Sequence, residues 1–287
     1  MNNKSIIIIS FIITTAFADC LGGAFDNIPV NAKPVSKGTA GTASGKDINS
    51  VRINPAALAE LDELQFLLSY RDFYGLDLIS QKHAALALPG KTINAGLSWD
   101  RVNTTGEVRF LDYSEDTFMI TFSGAVPGFE NFLFGTNFKF YQVLSDIDAS
   151  GYGFDVGFRY NTLFNGRVVF GLFGENINTP GLNWSSGAKD HLKALYRAGI
   201  CYLPGLGFSI SADYDNLKRL NAGFEIIPLK QKLSLRAGIK DALENTRVLS
   251  AGFGYELKKF TIDYALSNHR ELGMTHFFTL LLKIERL

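Results

Sequence analysis

The chain has 287 residues, with 28 basic and 28 acidic side chains and a formal net charge of zero. That balance argues against a nucleic-acid partner, which needs a basic face. Phe (24), Tyr (11) and Gly (28) are abundant while Cys (2) and Met (3) are scarce, a composition that suits a β-rich protein.

The first element is a secretory leader over residues 1–18. Lys4 gives the basic start, residues 6–17 the apolar core, and Ala16-Phe17-Ala18 the small-x-small cleavage site. The core is too short for a membrane helix. Cys20 allows a lipoprotein reading, but Asp19 before it fits a lipobox poorly. Cys20 and Cys201 could also pair in an oxidising compartment, although two lone cysteines carry little weight.

Residues 33–61 read KPVSKGTAGTASGKDINSVRINPAALAEL. Gly38, Gly41, Gly45 and the small residues between them cannot build a core of their own, but they can thread a crowded space where backbone passes close to other atoms. Asp47 follows. Asn54 then suits a helix N-cap, with Pro55 at the first helical position and Ala56 opening a helix-forming run. The segment predicts a compact plug that ends in one or two helical turns. Taken alone it reads equally well as a flexible linker, and the strands that follow decide between the two.

From residue 65 onward the hydrophobic period is two. Phe134, Phe138 and Phe140 alternate with Gly135, Asn137, Lys139 and Tyr141, and Ala222, Phe224 and Ile226 alternate with Asn221, Gly223 and Glu225. One face is apolar and aromatic; the other holds Gly, Ser, Asn and charge. Alternation alone fits a soluble sandwich with its apolar face inward and a membrane barrel with that face outward. Strand number and loop length separate them. Strands are predicted near 64–72, 82–89, 92–102, 116–126, 131–144, 150–160, 166–176, 194–203, 206–215, 219–227, 232–240, 247–257, 259–267 and 274–284. Most approach the ~9–11 residues of a tilted membrane strand. Connections after even strands are mostly tight, and those after odd strands are often longer and polar, as in an outer-membrane barrel. The predicted fold is therefore all-β: a transmembrane antiparallel barrel of fourteen strands, with an N-terminal plug containing a short helix. Its parts are the leader (1–18), a periplasmic segment and hatch (19–63) and the barrel (64–287). Tyr70, Trp99, Tyr113, Tyr141, Tyr160, Tyr202 and Tyr214 near strand ends are read as interfacial girdles.

Small residues at 38–45, then Asp47, then Asn54-Pro55-Ala56 ahead of a fourteen-strand pattern resemble the FadL-like outer-membrane proteins. The order Ala32-Lys33-Pro34, residues 38–45, Asp47 and Asn54 to Ala59 is most similar to the PorV/PorQ branch. The resemblance implies a monomeric barrel in the cell outer membrane, in contact with its lipid and closed by a hatch. The PorV branch implies a role in secretion or surface attachment of partner proteins. The transporter branch implies passage of long-chain fatty acids or other hydrophobic small molecules. Two departures stand out: the chain ends Glu285-Arg286-Leu287 rather than on an aromatic residue, and it is shorter than typical fatty-acid transporters of this kind.

No catalytic constellation is found, so no enzyme and no cofactor are predicted. The four histidines lack metal-ligand spacing, and residues 40–46 miss the phosphate-loop pattern because Ala40 replaces the first Gly and Asp47 the Ser/Thr. The predicted lumen carries both signs, among them Asp100, Lys139, Asp155, Arg159, Glu175, Arg197, Asp213, Glu225, Arg236, Glu256 and Asp263. Mixed signs read as an ion-pair network against the plug ahead of a polar path. Leu58, Leu61, Met119, Val169 and Phe173 are the candidates to line an apolar ligand path. Arg substitutions on the polar face, at Gly135 or Asn221, are expected to be milder than at Phe134 or Phe224, given room in the lumen.

Overall fold

The computed structural model describes residue 25 and residues 29–285, apart from 164–165, 229–231, 242–246 and 271. The leader, Cys20 and the last two residues lie outside the described residues. So does any pairing of Cys20 with Cys201, which is buried.

One sheet holds the described strands. The first seven are β1 (Leu64–Asp72), β2 (Ile79–Leu88), β3 (Ile93–Thr104), β4 (Ser114–Val126), β5 (Phe129–Leu144), β6 (Ala149–Leu163) and β7 (Val168–Glu175). A small hairpin follows, β8 (Gly181–Trp184) and β9 (Lys189–His191). The last seven are β10 (Leu195–Gly205), β11 (Phe208–Asp215), β12 (Leu220–Ile226), β13 (Leu233–Lys240), β14 (Val248–Leu257), β15 (Phe260–His269) and β16 (Gly273–Ile284). Each strand pairs antiparallel with the next around the ring, with β7 passing directly to β10. The ring closes where β1 meets β16, from Leu64 opposite Ile284 to Asp72 opposite His276. The result is a closed antiparallel barrel of fourteen strands. Closure leaves no edge among the fourteen ring strands, the condition for a sheet that faces lipid. No helix among the described residues is long and apolar enough to cross a membrane.

The period of two sets the two faces. Along β1 every second residue is buried, while Phe66, Leu68 and Tyr70 face outward. Leu97, Phe118, Ile120, Phe138, Leu172, Phe224 and Phe278 extend this apolar outer surface around the ring. Tyr70, Tyr160, Tyr202 and Tyr214 also stand on it. Tyr141 does not, contrary to the girdle reading. It is 2% exposed and points inward, where its hydroxyl donates to Asn176 Oδ1 at 2.7 Å. The alternation predicts this placement, since Tyr141 shares a face with Asn137 and Lys139.

The expected loop asymmetry is present. Tight turns join β2–β3, β4–β5, β10–β11 and β14–β15 at one end, and the opposite end carries the 3₁₀ turn at Gly106–Leu111 and the β8–β9 hairpin. The hairpin is an addition to the predicted elements. It folds back so that Ala149 and Ser150 of β6 pair with Trp184 and Asn183 of β8.

Arg at an outward midplane position must desolvate or distort the bilayer, at about 2–4 kcal/mol. Phe134→Arg and Phe224→Arg are therefore expected to abolish heat-modifiable migration after refolding into vesicles. Unchanged folding yields would place these residues away from lipid.

Candidate functional site

Residues 29–62 lie inside the ring of strands, and most of them are buried. The segment starts with α1 (Ala32–Ser36) and turns back through positive-φ Gly38 and Thr39. Two 3₁₀ turns follow, at Ile48–Ser50 and Pro55–Glu60. Asp47 caps the first by accepting from Asn49 N–H, and Asn54 caps the second by accepting from Ala56 N–H at 3.0 Å. Where the sequence predicts one or two helical turns, the second turn takes the 3₁₀ form. Only six residues separate the Asn54 cap from extended Leu61, and the closing bonds run from Ala57 N–H to Asn54 O and from Leu61 N–H to Leu58 O. So short a run gains little from α-helical bonds, and the tighter ladder wins.

Wall side chains complete the backbone hydrogen bonding of this inner segment. Asn54 is fully buried, and its amide donates to Thr42 O at 2.7 Å and to the wall carbonyls of Phe158 (3.1 Å) and Leu172 (3.4 Å). One Asp213 oxygen accepts from Gly41 N–H (2.9 Å), Thr42 N–H (3.0 Å) and Thr42 Oγ1 (2.8 Å). Thr42 is thus held from both sides. Further round, Thr279 accepts from Ala32 N–H, Ser250 from Gly38 N–H and Gln65 from Ile48 N–H. Asn94 donates to Leu58 O and Leu61 O, Asn137 to Val51 O, and Arg159 to Ala43 O. Buried backbone groups require partners, and here the wall supplies them.

Charge is paired in the same way. Arg52 meets Asp100 at 2.7 Å and Glu60 meets Arg159 at 2.8 Å, both across the junction of inner segment and wall. Within the wall, Lys139 lies 2.9 Å from Asp155 and from Glu175, and Arg236 lies 2.6 Å from Glu225 and from Asp263. This is the mixed-sign network expected from the sequence. Inside the segment Lys33 meets Asp47 at 2.6 Å. Burial pushes the Asp47 carboxyl up, but the Lys33 ammonium, Lys37 and the Asn49 N–H together hold the group below its usual range. Lys37 is different: burial dominates and lowers it despite Glu225.

Glycines make the fit possible. A Cβ on Gly135 would collide with the Pro55–Ala56 backbone, one on Gly157 with Asn54 Oδ1, one on Gly171 with Thr42 O, and one on Gly238 with the Lys37–Gly38 peptide. The wall glycines that read as polar-face filler in the sequence are the places where the inner segment presses directly on the wall backbone. The lumen therefore has no room at Gly135, and the expectation that Arg is milder there is corrected.

The expected site residues divide between these surroundings. Gly38, Gly41, Gly45, Asp47, Asn54, Pro55 and Ala56 all lie in the inner segment. Leu58, Leu61 and Met119 come together in one buried apolar cluster with Ile48, Val51, Leu67, Ala85, Ala87 and Leu281, where the segment meets β1, β2, β4 and β16. Phe173 is buried but lies outside that cluster, and Val169 packs elsewhere with Ala43 and Cys201. A cavity of about 450 Å³ lies toward the tight-turn end, between the inner segment and the wall, and of the cluster residues only Leu281 borders it. Lys33, Lys46, Glu256 and Lys283 are among its lining residues, and none of Leu58, Leu61, Met119 or Phe173 borders it. Sequence reasoning missed the grips made by Asp213, Asn94 and Asn137. Their only signal was a polar residue on an inward-facing strand position.

No protein-family model matches the sequence, and no curated protein matches it. Solved structures do match in fold. The Ralstonia pickettii toluene transporter TbuX superposes with a TM-score of 0.62 at 14% identity, covering 90% of this chain and 100% of that one. The Pseudomonas putida toluene transporter TodX gives 0.63 at 13% identity, covering 91% and 98%. A Pseudomonas aeruginosa FadL homologue gives 0.61 at 12% identity, covering 92% and 100%. At these identities the likeness is one of fold, and the fold is that of FadL-type barrels.

Proposed function

We propose that this chain is an outer-membrane barrel of the FadL-like type in which residues 19–63 act as a hatch, residues 64–287 form the wall, and a hydrophobic small molecule passes between them. The observation that carries this reading is the apolar cluster around Leu58 and Met119, the largest apolar contact between hatch and wall among the described residues. A hydrophobic ligand can replace such side-chain contacts without leaving buried polar groups unpaired. It cannot replace the Asp213 and Asn54 grips at so little cost. The fold shared with two toluene transporters supports the same reading. Transport is therefore placed ahead of the secretion-partner role expected from the PorV/PorQ resemblance. Outer-membrane lipid contacts the apolar outer face, and the barrel acts as a monomer.

Crystals of the protein soaked in toluene test the path. Ordered toluene between Leu58 and Met119, with their side chains displaced, is expected. Toluene found only on the outer lipid-facing surface would contradict it.

A further inference from the structure

The cavity of about 450 Å³ between inner segment and wall falls in the size range of small-molecule sites. Exposed Lys46 and Lys232 stand at its edge. Each carboxylate of its lining has a cation close by. Lys33 is 2.6 Å from Asp47, Lys283 is 2.9 Å from Glu256, and Arg236 is 2.6 Å from both Glu225 and Asp263. Three lysines of the same lining are left over. Lys37 comes only within 3.9 Å of Glu225, which already holds Arg236. Lys46 comes only within 3.7 Å of Glu60, which already holds Arg159. Lys232 forms no ion pair among the described residues.

Two buried groups of the inner segment border this space. Lys37 is 5% exposed, and its ammonium donates to Ser44 Oγ at 3.2 Å, which leaves N–H bonds for a further partner. Asn49 is 1% exposed, and neither Nδ2 nor Oδ1 of its amide has a hydrogen-bond partner. A buried cation without a close counter-charge is costly, and an arriving anion removes that cost. Separate lysines act as point charges, which suit a phosphate better than a planar carboxylate. An amide free at both its donor and its acceptor matches a hydroxyl, which accepts and donates in turn. We propose that the cavity binds a small hydroxylated phosphomonoester. Lys37 holds the phosphate, Lys46 and Lys232 draw it in from the edge, and the Asn49 amide takes a hydroxyl. The site goes beyond the transport reading, since its ligand is polar and its lining is separate from Leu58 and Met119.

Isothermal titration of the full chain in a neutral detergent with glycerol 3-phosphate tests the site, with glycerol, glycerate and inorganic phosphate as parallel arms. Saturable binding of glycerol 3-phosphate that weakens as salt is raised is expected. Glycerate and inorganic phosphate should each bind about tenfold weaker or more. Lys37→Gln is expected to lose about tenfold or more in glycerol 3-phosphate affinity. Asn49→Ala should lose about tenfold for glycerol 3-phosphate and leave inorganic phosphate unchanged, which a collapsed cavity would not do. Equal binding of glycerol 3-phosphate by Lys37→Gln and wild type would overturn the site. Glycerate binding as tightly would overturn the phosphate assignment, and inorganic phosphate binding as tightly would overturn the hydroxyl contact. If Lys37→Gln does not fold, Lys232→Gln at the exposed edge replaces it, with an expected loss of about threefold. In that case unchanged affinity in Lys232→Gln, or glycerol binding as well as glycerol 3-phosphate, would overturn the proposal.

Discussion

Deleting residues 33–50 should convert a closed barrel into an open pore. Planar-bilayer conductance is expected to stay near baseline for the intact chain and to rise to a steady open-pore current in the deletion. The segment contributes buried Val35, Ser36, Ala40, Thr42 and Ala43 to the lumen, all at 6% exposure or less. The wall does not depend on it for strand pairing, since the hydrogen-bonded ring from β1 to β16 is complete by itself. Asp213, Ser250 and Gln65 lose their inner-segment partners in the deletion but gain water, so the cost of unpaired buried groups is avoided. Equal conductance of the two proteins would make the segment a linker.

Gly157→Val and Gly135→Val should be the most damaging single substitutions on the inner face. At Gly157 the added carbon displaces the Asn54 carbonyl oxygen, which caps the 3₁₀ turn, and so disturbs the amide that grips Thr42, Phe158 and Leu172. At Gly135 it meets the Pro55–Ala56 backbone, which no rotamer change relieves. Overpacking of this kind costs about 1–3 kcal/mol, and loss of the cap about 1 kcal/mol more. The expected result is a barrel that still folds but leaks, because the hatch is the element that can yield. Thr136→Val, on the opposite face of β5, serves as the control and should conduct like the intact chain. Wild-type conductance in both glycine variants would mean that the hatch does not press on the wall there.

The barrel was legible in the sequence because lipid outside and polar groups inside impose a strict period of two on every strand. Fourteen predicted strands coincide with the fourteen that close the ring, with ends displaced by a few residues. The β8–β9 hairpin was not legible. Its residues Asn183, Ser185, Ser186 and Asp190 carry no apolar alternation, because within β8 and β9 only Leu182 is buried. Asn54 was legible as a cap because capping is local, two residues from donor to acceptor. Its wall contacts and the Asp213 grip were not, since Thr42 and Asp213 are far apart in the chain and nothing in the pattern says which inward polar residue meets which backbone group. The glycines show the same limit. Period two placed Gly135, Gly157 and Gly223 on the inner face, but only the packed hatch explains why those positions must be glycine rather than serine or asparagine.

The transport reading is tested most directly by uptake into vesicles with a lipopolysaccharide outer leaflet, using labelled toluene and labelled oleate as probes. Vesicles holding the intact chain are expected to take up at least one probe faster than protein-free vesicles. Leu58→Asp, which places a charge in the apolar contact between hatch and wall, is expected to abolish the gain while the barrel stays heat-modifiable. Uptake equal to that of protein-free vesicles for both probes would contradict the account.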